Sequence, residues 1–179
     1  MGRGGEKLLL ALERLDLDLA GAVAADFGCS VGGFTDCMLR RGAAGVYAVD
    51  TGYGMLAWKL RQDERVVVME RTNAMHARLP EPVDVVTVDV AWTRQRHILP
   101  NALVAVRPGG VVLSLFKPQY EAPPQWVRRG RIAPGRFEEV LQATLDELEG
   151  MGIRVAEVVR LPEEPRRNPE AFLCIRPPE

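Results

Sequence analysis

The chain has 179 residues, of which 47% are hydrophobic, with a formal net charge of −1 and three cysteines. This suits one domain over residues 1–179, with residues 1–20 as an N-terminal helical extension. No apolar run approaches the roughly 20 residues of a membrane span, and no signal peptide is evident. Three distant cysteines without a CxxC pair indicate neither a disulfide framework nor a zinc site. We therefore expect a soluble, cytoplasmic protein.

Helical and strand patterns alternate along the chain. Gly4 and Gly5 are expected to form a flexible lead-in, and residues 120–134 a long polar loop. The predicted helices are 6–15, 32–41, 55–61, 98–106 and 137–151, and the predicted strands 22–26, 46–50, 65–69, 83–89, 111–116, 153–161 and 171–175. Such apolar strands alternating with helices predict an α/β fold with a mostly parallel, seven-stranded sheet and helices on both faces.

A glycine-rich turn joins the first strand to the second helix. The apolar run of the strand ends at Asp26, and Gly28, Gly32 and Gly33 precede the helix. This arrangement points backbone N–H groups at whatever lies over the end of the strand, and glycine allows a ligand to approach closely. The spacing is neither the dinucleotide fingerprint nor a phosphate loop, and a plain turn also needs glycine.

An acidic residue, Asp50, closes the second strand, where it is placed to accept hydrogen bonds from a ribose diol. This favours a nucleoside-containing ligand without a pyrophosphate over a plain turn, and S-adenosylmethionine fits best. Ligands of parallel sheets bind beyond the carboxyl ends of the strands. Because Asp26, Asp50, Asp89 and Lys117 each close a strand, we expect all four to face one crevice.

Basic residues are concentrated in the segment 92–136, which has eight basic side chains and one acidic residue, Glu121. The segregation indicates either a basic face for a polyanion such as RNA or ordinary solvated arginines. Lysine is rare, occurring only as Lys7, Lys59 and Lys117. A lysine, unlike an arginine, loses its proton readily beside other cations or when desolvated. Lys117, at the end of a buried strand, is therefore a candidate for proton transfer, whereas Lys7 and Lys59 alone suggest solvated charges.

Six segments follow one another in the order of a known family: RGGEKL (3–8), DFGCSVGGFTD (26–36), AVDTGYG (48–54), LAWKLR (56–61), ERTN (70–73) and KPQYE (117–121). They resemble the hemolysin-A (TlyA) type of ribosomal RNA 2′-O-ribose methyltransferase, whose catalytic domain is similar to FtsJ. The resemblance implies a Rossmann-like methyltransferase fold, S-adenosylmethionine as cofactor, and ribosomal RNA or a ribosomal subunit as partner.

The resemblance also implies a Lys-Asp-Lys-Glu catalytic tetrad, which falls on Lys7, Asp89, Lys117 and Glu170. A ribose 2′-hydroxyl is a poor nucleophile, so methyl transfer requires removal of its proton and alignment of its oxygen. A neutral Lys117 could take that proton, with Lys7 as the second cation and the two acids orienting the amines. Taken singly, Asp89 is equally explained as a helix cap and Glu170 as a solvated charge at the sheet edge.

The cofactor contacts implied by the resemblance cluster at the ends of the first four predicted strands. Asp50 is assigned to the ribose, Asn73 with Thr72 to the adenine edge, and Asp89 to the cofactor as well as to catalysis. The glycine turn supplies the remaining contacts: Asp26, Gly28, Ser30, Gly32, Gly33, Phe34 and Thr35. His76 and His97 are isolated, so no metal is assigned.

Three departures from the family bear on the target. Its members carry an S4-type RNA-binding domain before the segment that begins here at Arg3, and residues 90–96 and 122–131 differ from the usual pattern. Trp92 and Trp126, among arginines, either clamp a flipped nucleotide or cover apolar surface. A non-catalytic module that binds S-adenosylmethionine and RNA is the alternative function. No pore-forming or basic membrane helix supports a membrane-damaging role, and the target nucleotide and oligomeric state stay open.

Overall fold

The computed structural model describes residues 2–177. Its helices are α1 (Arg3–Arg14), α2 (Gly33–Arg40), α3 (Trp58–Arg61), α4 (Gln95–Ala105), α5 (Pro118–Glu121) and α6 (Phe137–Gly150). Its strands are β1 (Val23–Phe27), β2 (Gly45–Val49), β3 (Val66–Met69), β4 (Val83–Val88), β5 (Val106–Phe116), β6 (Val127–Arg128), β7 (Arg131–Ile132), β8 (Val155–Arg160) and β9 (Ala171–Ile175).

Seven strands pair in the order β3-β2-β1-β4-β5-β9-β8. The first five are parallel, and β9 runs antiparallel to both β5 and β8. One apolar cluster packs α1 and α2 on one face of the sheet, and a second packs α4 and α6 on the other. The predicted mostly parallel seven-stranded sheet with helices on both faces is confirmed. The strand order reverses between β1 and β4, which places a ligand crevice at their carboxyl ends.

Helix α1 begins earlier than the sequence suggested, at Arg3, so the expected flexible lead-in is wrong. Gly5 is buried within the helix and lies against Gly33 of α2, where a Cβ would stand 3.3 Å from the Gly5 nitrogen. Close packing of two glycine backbones thus overrides the low helix propensity of glycine. Leu8 and Leu12 are fully buried beneath α2, which anchors α1 to the sheet.

The segment expected to be one polar loop, residues 120–134, instead contains the end of α5, a 3₁₀ turn (Pro124–Trp126) and the hairpin β6–β7. The hairpin is too short to show strand periodicity in the sequence. Residues 107–110, which separate the predicted helix 98–106 from the predicted strand 111–116, lie inside β5 as a bulge, because Val106 pairs with Val83 but Val111 pairs with Val85. None of the helices that the structure describes has the length and apolar character of a membrane span.

Candidate functional site

A crevice of about 500 Å³ opens at the carboxyl ends of the parallel strands. This volume lies in the range of small-molecule sites, roughly 300–1,000 Å³. Seven of the sequence-predicted site residues line it, together with Trp92: Gly28, Ser30, Asp50, Thr72, Asn73, Asp89 and Lys117. Three of the four strand-closing residues expected to face one crevice therefore do so.

Asp50 is held rigidly at the end of β2. One carboxylate oxygen accepts the Ser30 N–H at 2.8 Å and the other the Gly52 N–H at 2.7 Å. Its carbonyl oxygen accepts the Thr72 N–H at 2.9 Å, which ties the loop after β3 to the same point. Each carboxylate oxygen keeps a further acceptor site. The side chain is thus oriented to receive two hydroxyl groups in the crevice.

Asp26 is the fourth strand-closing residue, and its predicted place in the crevice is wrong. It is fully buried and accepts hydrogen bonds from the Thr35 N–H at 2.9 Å, the Thr35 hydroxyl at 2.6 Å and the Thr87 hydroxyl at 3.3 Å. Burial raises the pKa of Asp26 to about 7, although these hydrogen bonds act to lower it. Strand β1 continues to Phe27, so Asp26 points to the face that carries α2 and fixes the first turn of that helix.

Four more residues predicted from the glycine turn, residues 32–35, also lie outside the crevice. Gly32 faces Leu56 and Leu60, Gly33 packs on α1, and Thr35 is buried against Asp26. Phe34 is buried, with its ring centroid 5.7 Å from that of Phe172. The first turn of α2 therefore belongs to the core in this structure. Only Gly28 and Ser30 of this set reach the crevice.

The four tetrad residues form two ion pairs at one edge of the sheet. Lys117 pairs with Asp89 in the crevice, and Lys7 pairs with Glu170 beside it. Strands β5 and β9 run antiparallel with Phe116 opposite Ala171. Lys117 and Glu170 are the next residues outward, so they stand on neighbouring strand ends. A smaller cavity of about 180 Å³ is lined by Lys7 and Glu170.

A buried polar network that the sequence did not reveal supports this edge. Glu121, only 8% exposed, accepts the Gln95 N–H at 2.7 Å, and the Ser114 hydroxyl donates to the Gln95 side-chain oxygen at 2.6 Å. The network joins the start of α4 to the ends of β5 and α5. It thereby fixes the end of segment 90–94 that adjoins α4. Burial raises the pKa of Glu121 to about 7.

This raised pKa gives an expected pH dependence of stability. Between its ordinary value of 4.5 and about 7, Glu121 holds a proton in the folded chain but loses it on unfolding. The stabilisation that Glu121 contributes to the folded state is therefore complete below pH 4.5 and is lost as the pH rises through 7. Glu121→Gln keeps the acceptor oxygen but does not titrate. We therefore expect its free energy of unfolding, relative to that of wild type, to rise by up to about 3 kcal/mol between pH 4 and pH 8.

Urea unfolding of wild type and Glu121→Gln at several pH values measures this difference in the free energy of unfolding. The matched control is Glu149→Gln, on the exposed face of α6, whose difference from wild type should change by less than about 0.5 kcal/mol over the same range. A Glu121→Gln curve that runs parallel to the wild-type curve would contradict the prediction.

The two tryptophans considered from the sequence have different surroundings. Trp92 is 87% exposed with φ 60°, and its ring lies 5.3 Å from that of Tyr120, which Lys117 approaches. Trp126 is partly buried against the core cluster around α4 and α6. Its ring is covered by the guanidinium of Arg136, at 4.5 Å. Trp126 thus covers apolar surface, while most of the Trp92 side chain is exposed to solvent at the crevice.

The described residues 2–177 hold no group of three His, Cys, Asp or Glu side chains arranged to bind a metal ion. His97 accepts a hydrogen bond from Arg96 at 3.1 Å. The three cysteines are buried free thiols, and burial raises the pKa of Cys29 and Cys37.

The sheet order and crevice are those of a methyltransferase fold. The solved structure of the N-methyltransferase NodS from Bradyrhizobium japonicum superposes with a TM-score of 0.69 at 18% identity, covering 99% of this chain and 95% of NodS. Residues 1–174 match the FtsJ-like methyltransferase family. The chain belongs to that family.

Among its relatives are rRNA methyltransferases and hemolysins. YqxC of Bacillus subtilis, named as a candidate rRNA methyltransferase, is 47% identical over 68% of this chain and 45% of YqxC. The 16S/23S rRNA (cytidine-2′-O)-methyltransferase TlyA of Mycobacterium tuberculosis is 42% identical over 75% of this chain and 50% of TlyA. A candidate hemolysin from Streptococcus thermophilus superposes with a TM-score of 0.92 at 34% identity, covering 100% of this chain and 67% of the hemolysin. The chain spans about half the length of the curated relatives it matches.

Proposed function

We propose that this chain is an S-adenosylmethionine-dependent methyltransferase that acts on ribosomal RNA at a ribose 2′-hydroxyl. The observation that carries the proposal is the pairing of Lys117 with Asp89 in the crevice, next to the pairing of Lys7 with Glu170. The rRNA methyltransferases among the relatives support the substrate class. An RNA substrate of this kind supports the proposal that the protein acts in the cytoplasm.

The residues of the crevice fit S-adenosylmethionine. The Asp50 carboxylate can accept both ribose hydroxyls, and Gly28, Ser30 and Asn73 line the same crevice. When bound, this cofactor supplies an electrophilic methyl group on a sulfonium. Asp89 and Lys117 line the same crevice as Asp50, and they are the groups there that would meet an incoming hydroxyl.

In the proposed mechanism, Lys117 in its neutral form takes the proton of the 2′-hydroxyl, which makes the oxygen a better nucleophile for the methyl group that the sulfonium of S-adenosylmethionine would release. Asp89 accepts a hydrogen bond from the Lys117 amine, which orients it, and pairs with the ammonium once Lys117 has taken the proton. Glu170 pairs with Lys7, which supplies the positive charge beside the reacting oxygen. Trp92, exposed at the rim, is positioned to stack on the base of the target nucleotide.

Transfer of tritium from labelled S-adenosylmethionine to unmodified ribosomal subunits tests the proposal. Radioactivity in rRNA that grows with time and enzyme concentration is the expected result. The alternative, a non-catalytic module that binds S-adenosylmethionine and RNA, predicts cofactor binding without transfer. Residues 90–96, which follow Asp89 and differ from the usual family pattern, favour this alternative.

We expect Asp50→Ala to weaken S-adenosylmethionine binding about 100-fold. Each hydrogen bond to a charged acceptor contributes about 1.5–3 kcal/mol, and a tenfold change in affinity corresponds to about 1.4 kcal/mol. Isothermal titration calorimetry with the cofactor alone measures the change. Asp146→Ala, an exposed carboxylate on α6, is the matched control and should bind as wild type does. Equal affinities of the Asp50 and Asp146 variants would remove Asp50 from the cofactor site.

A further inference from the structure

The hairpin β6–β7 presents a cluster of arginines that the proposed mechanism does not use. Arg128, Arg129 and Arg131 are exposed on it, and Arg129 and Gly130 form its turn with φ of 50° and 74°. Such a two-residue turn with both φ values positive is the type that holds a tight hairpin. The cluster therefore has a defined backbone despite lying in a segment that resembles a loop in sequence.

The hairpin is fixed to the loop between β8 and β9 by one side chain. The Asn168 oxygen accepts the Ile132 N–H at 3.0 Å, and the Asn168 amide donates to the Gly130 carbonyl at 2.8 Å. The stacking of Arg136 on Trp126 secures the hairpin from the other side. These contacts fix the backbone that carries the arginines before any partner arrives, which lowers the entropic cost of binding.

This surface adjoins the reactive edge. Asn168 and Arg167 line both the groove beside the hairpin and the cavity that contains Lys7 and Glu170. Asn168 also precedes Glu170 by only two residues along the chain. A polymer that reaches the tetrad from this side must therefore pass the hairpin.

The charges of the surface are mostly unneutralised. Within residues 2–177, Arg128, Arg129 and Arg166 have no carboxylate partner. Two acidic residues lie nearby: Glu164, which pairs with Arg167 at 2.9 Å, and Glu163 in the groove. Free guanidinium groups on a fixed backbone suit bidentate contacts with phosphate oxygens, and contacts of this kind position nucleic acids without reading their sequence.

From these observations we infer that the hairpin β6–β7 binds the phosphate backbone of the RNA strand that flanks the target nucleotide. The inference rests on the proposed function and deepens it, because it assigns a substrate-positioning surface outside the catalytic crevice. Arg128 and Arg129 hold the strand, while the tetrad acts on the ribose. RNA affinity should then depend on the hairpin, and the chemical step should not.

The test compares R128Q/R129Q with R154Q/R176Q, both of which remove two exposed positive charges. Arg154 and Arg176 lie just outside Val155 and Ile175, which pair at the end of β8 and β9 that is remote from Glu170. RNA binding is measured by filter retention of unmodified rRNA at several salt concentrations, alongside KM, kcat and cofactor affinity. For R128Q/R129Q we expect a salt slope smaller by about 2 and a KM about tenfold higher. Its kcat and cofactor affinity should match wild type, and R154Q/R176Q should match wild type throughout.

The outcomes separate this inference from the proposed function. If wild type transfers methyl groups to RNA and R128Q/R129Q keeps the wild-type slope and KM, the inference is overturned and the function stands. If wild type transfers nothing but binds RNA with a hairpin-dependent slope, the function fails and the inference stands. Wild-type protein that retains no RNA at any salt concentration would overturn both.

Discussion

Lys117→Ala is expected to lower kcat for methyl transfer about 10³-fold, within the range of 10²- to 10⁴-fold for loss of a general base. The amine lies in the crevice in contact with Asp89, so its removal takes away the proposed proton acceptor without touching Asp50. S-adenosylmethionine affinity should therefore change less than about threefold, because the lost interaction belongs to the chemical step. Single-turnover transfer and calorimetry measure the two quantities separately.

Two further variants make this prediction specific. Lys117→Arg keeps the positive charge beside Asp89 but cannot release its proton, so the loss should be as large as for alanine. Lys59→Ala removes the exposed lysine of α3, which pairs with Asp36 at 3.2 Å, and should leave turnover unchanged. An arginine variant with near wild-type kcat would show that Lys117 acts by charge alone.

Gly28→Ala is expected to destabilise the fold by about 3 kcal/mol, a cost typical of strained backbone combined with overpacking. Gly28 has φ of 88°, and a Cβ added there would stand 2.6 Å from the carbonyl oxygen of Asp89. Backbone cannot swing away as a flexible side chain can. The substitution must therefore displace either the turn after β1 or Asp89, whose catalytic role is proposed, and methyl transfer should fall together with stability.

The matched control for this substitution is Gly21→Ala. Gly21 also has a positive φ, 73°, but nothing lies within 4 Å of its added Cβ. Gly21→Ala should therefore lower the free energy of unfolding by only about 1 kcal/mol, the cost of holding an alanine in the left-handed conformation. Urea unfolding of the two variants isolates the contact with Asp89 as the difference between them. Equal losses at the two glycines would mean that this contact contributes nothing to stability.

What the sequence could and could not predict follows from how local each signal is. Asp50 and Lys117 were located correctly because each directly follows an apolar strand, and the ends of parallel strands meet at one edge. Asp26 was misplaced because β1 extends one residue further, and consecutive strand residues point to opposite faces. The boundary of a strand is therefore enough to move a carboxylate from a crevice to the core.

Other features depend on contacts between distant parts of the chain. The role of Glu121 comes from Gln95, 26 residues away, and that of Asn168 from the hairpin, 36 residues away. No periodicity or motif encodes such pairs. The early start of α1 likewise depends on the contact of Gly5 with Gly33, which only the folded chain brings together.

The central claim is that the edge formed by Lys117, Asp89, Lys7 and Glu170 directs a methyl group to a ribose oxygen of RNA. Digestion of the methylated rRNA to nucleosides, followed by mass spectrometry, tests this most directly. We predict one nucleoside whose added methyl group remains on the ribose fragment, formed by wild type and lost with Lys117→Ala. A methyl group on the base fragment, or its formation by Lys117→Ala at the wild-type rate, would contradict the claim.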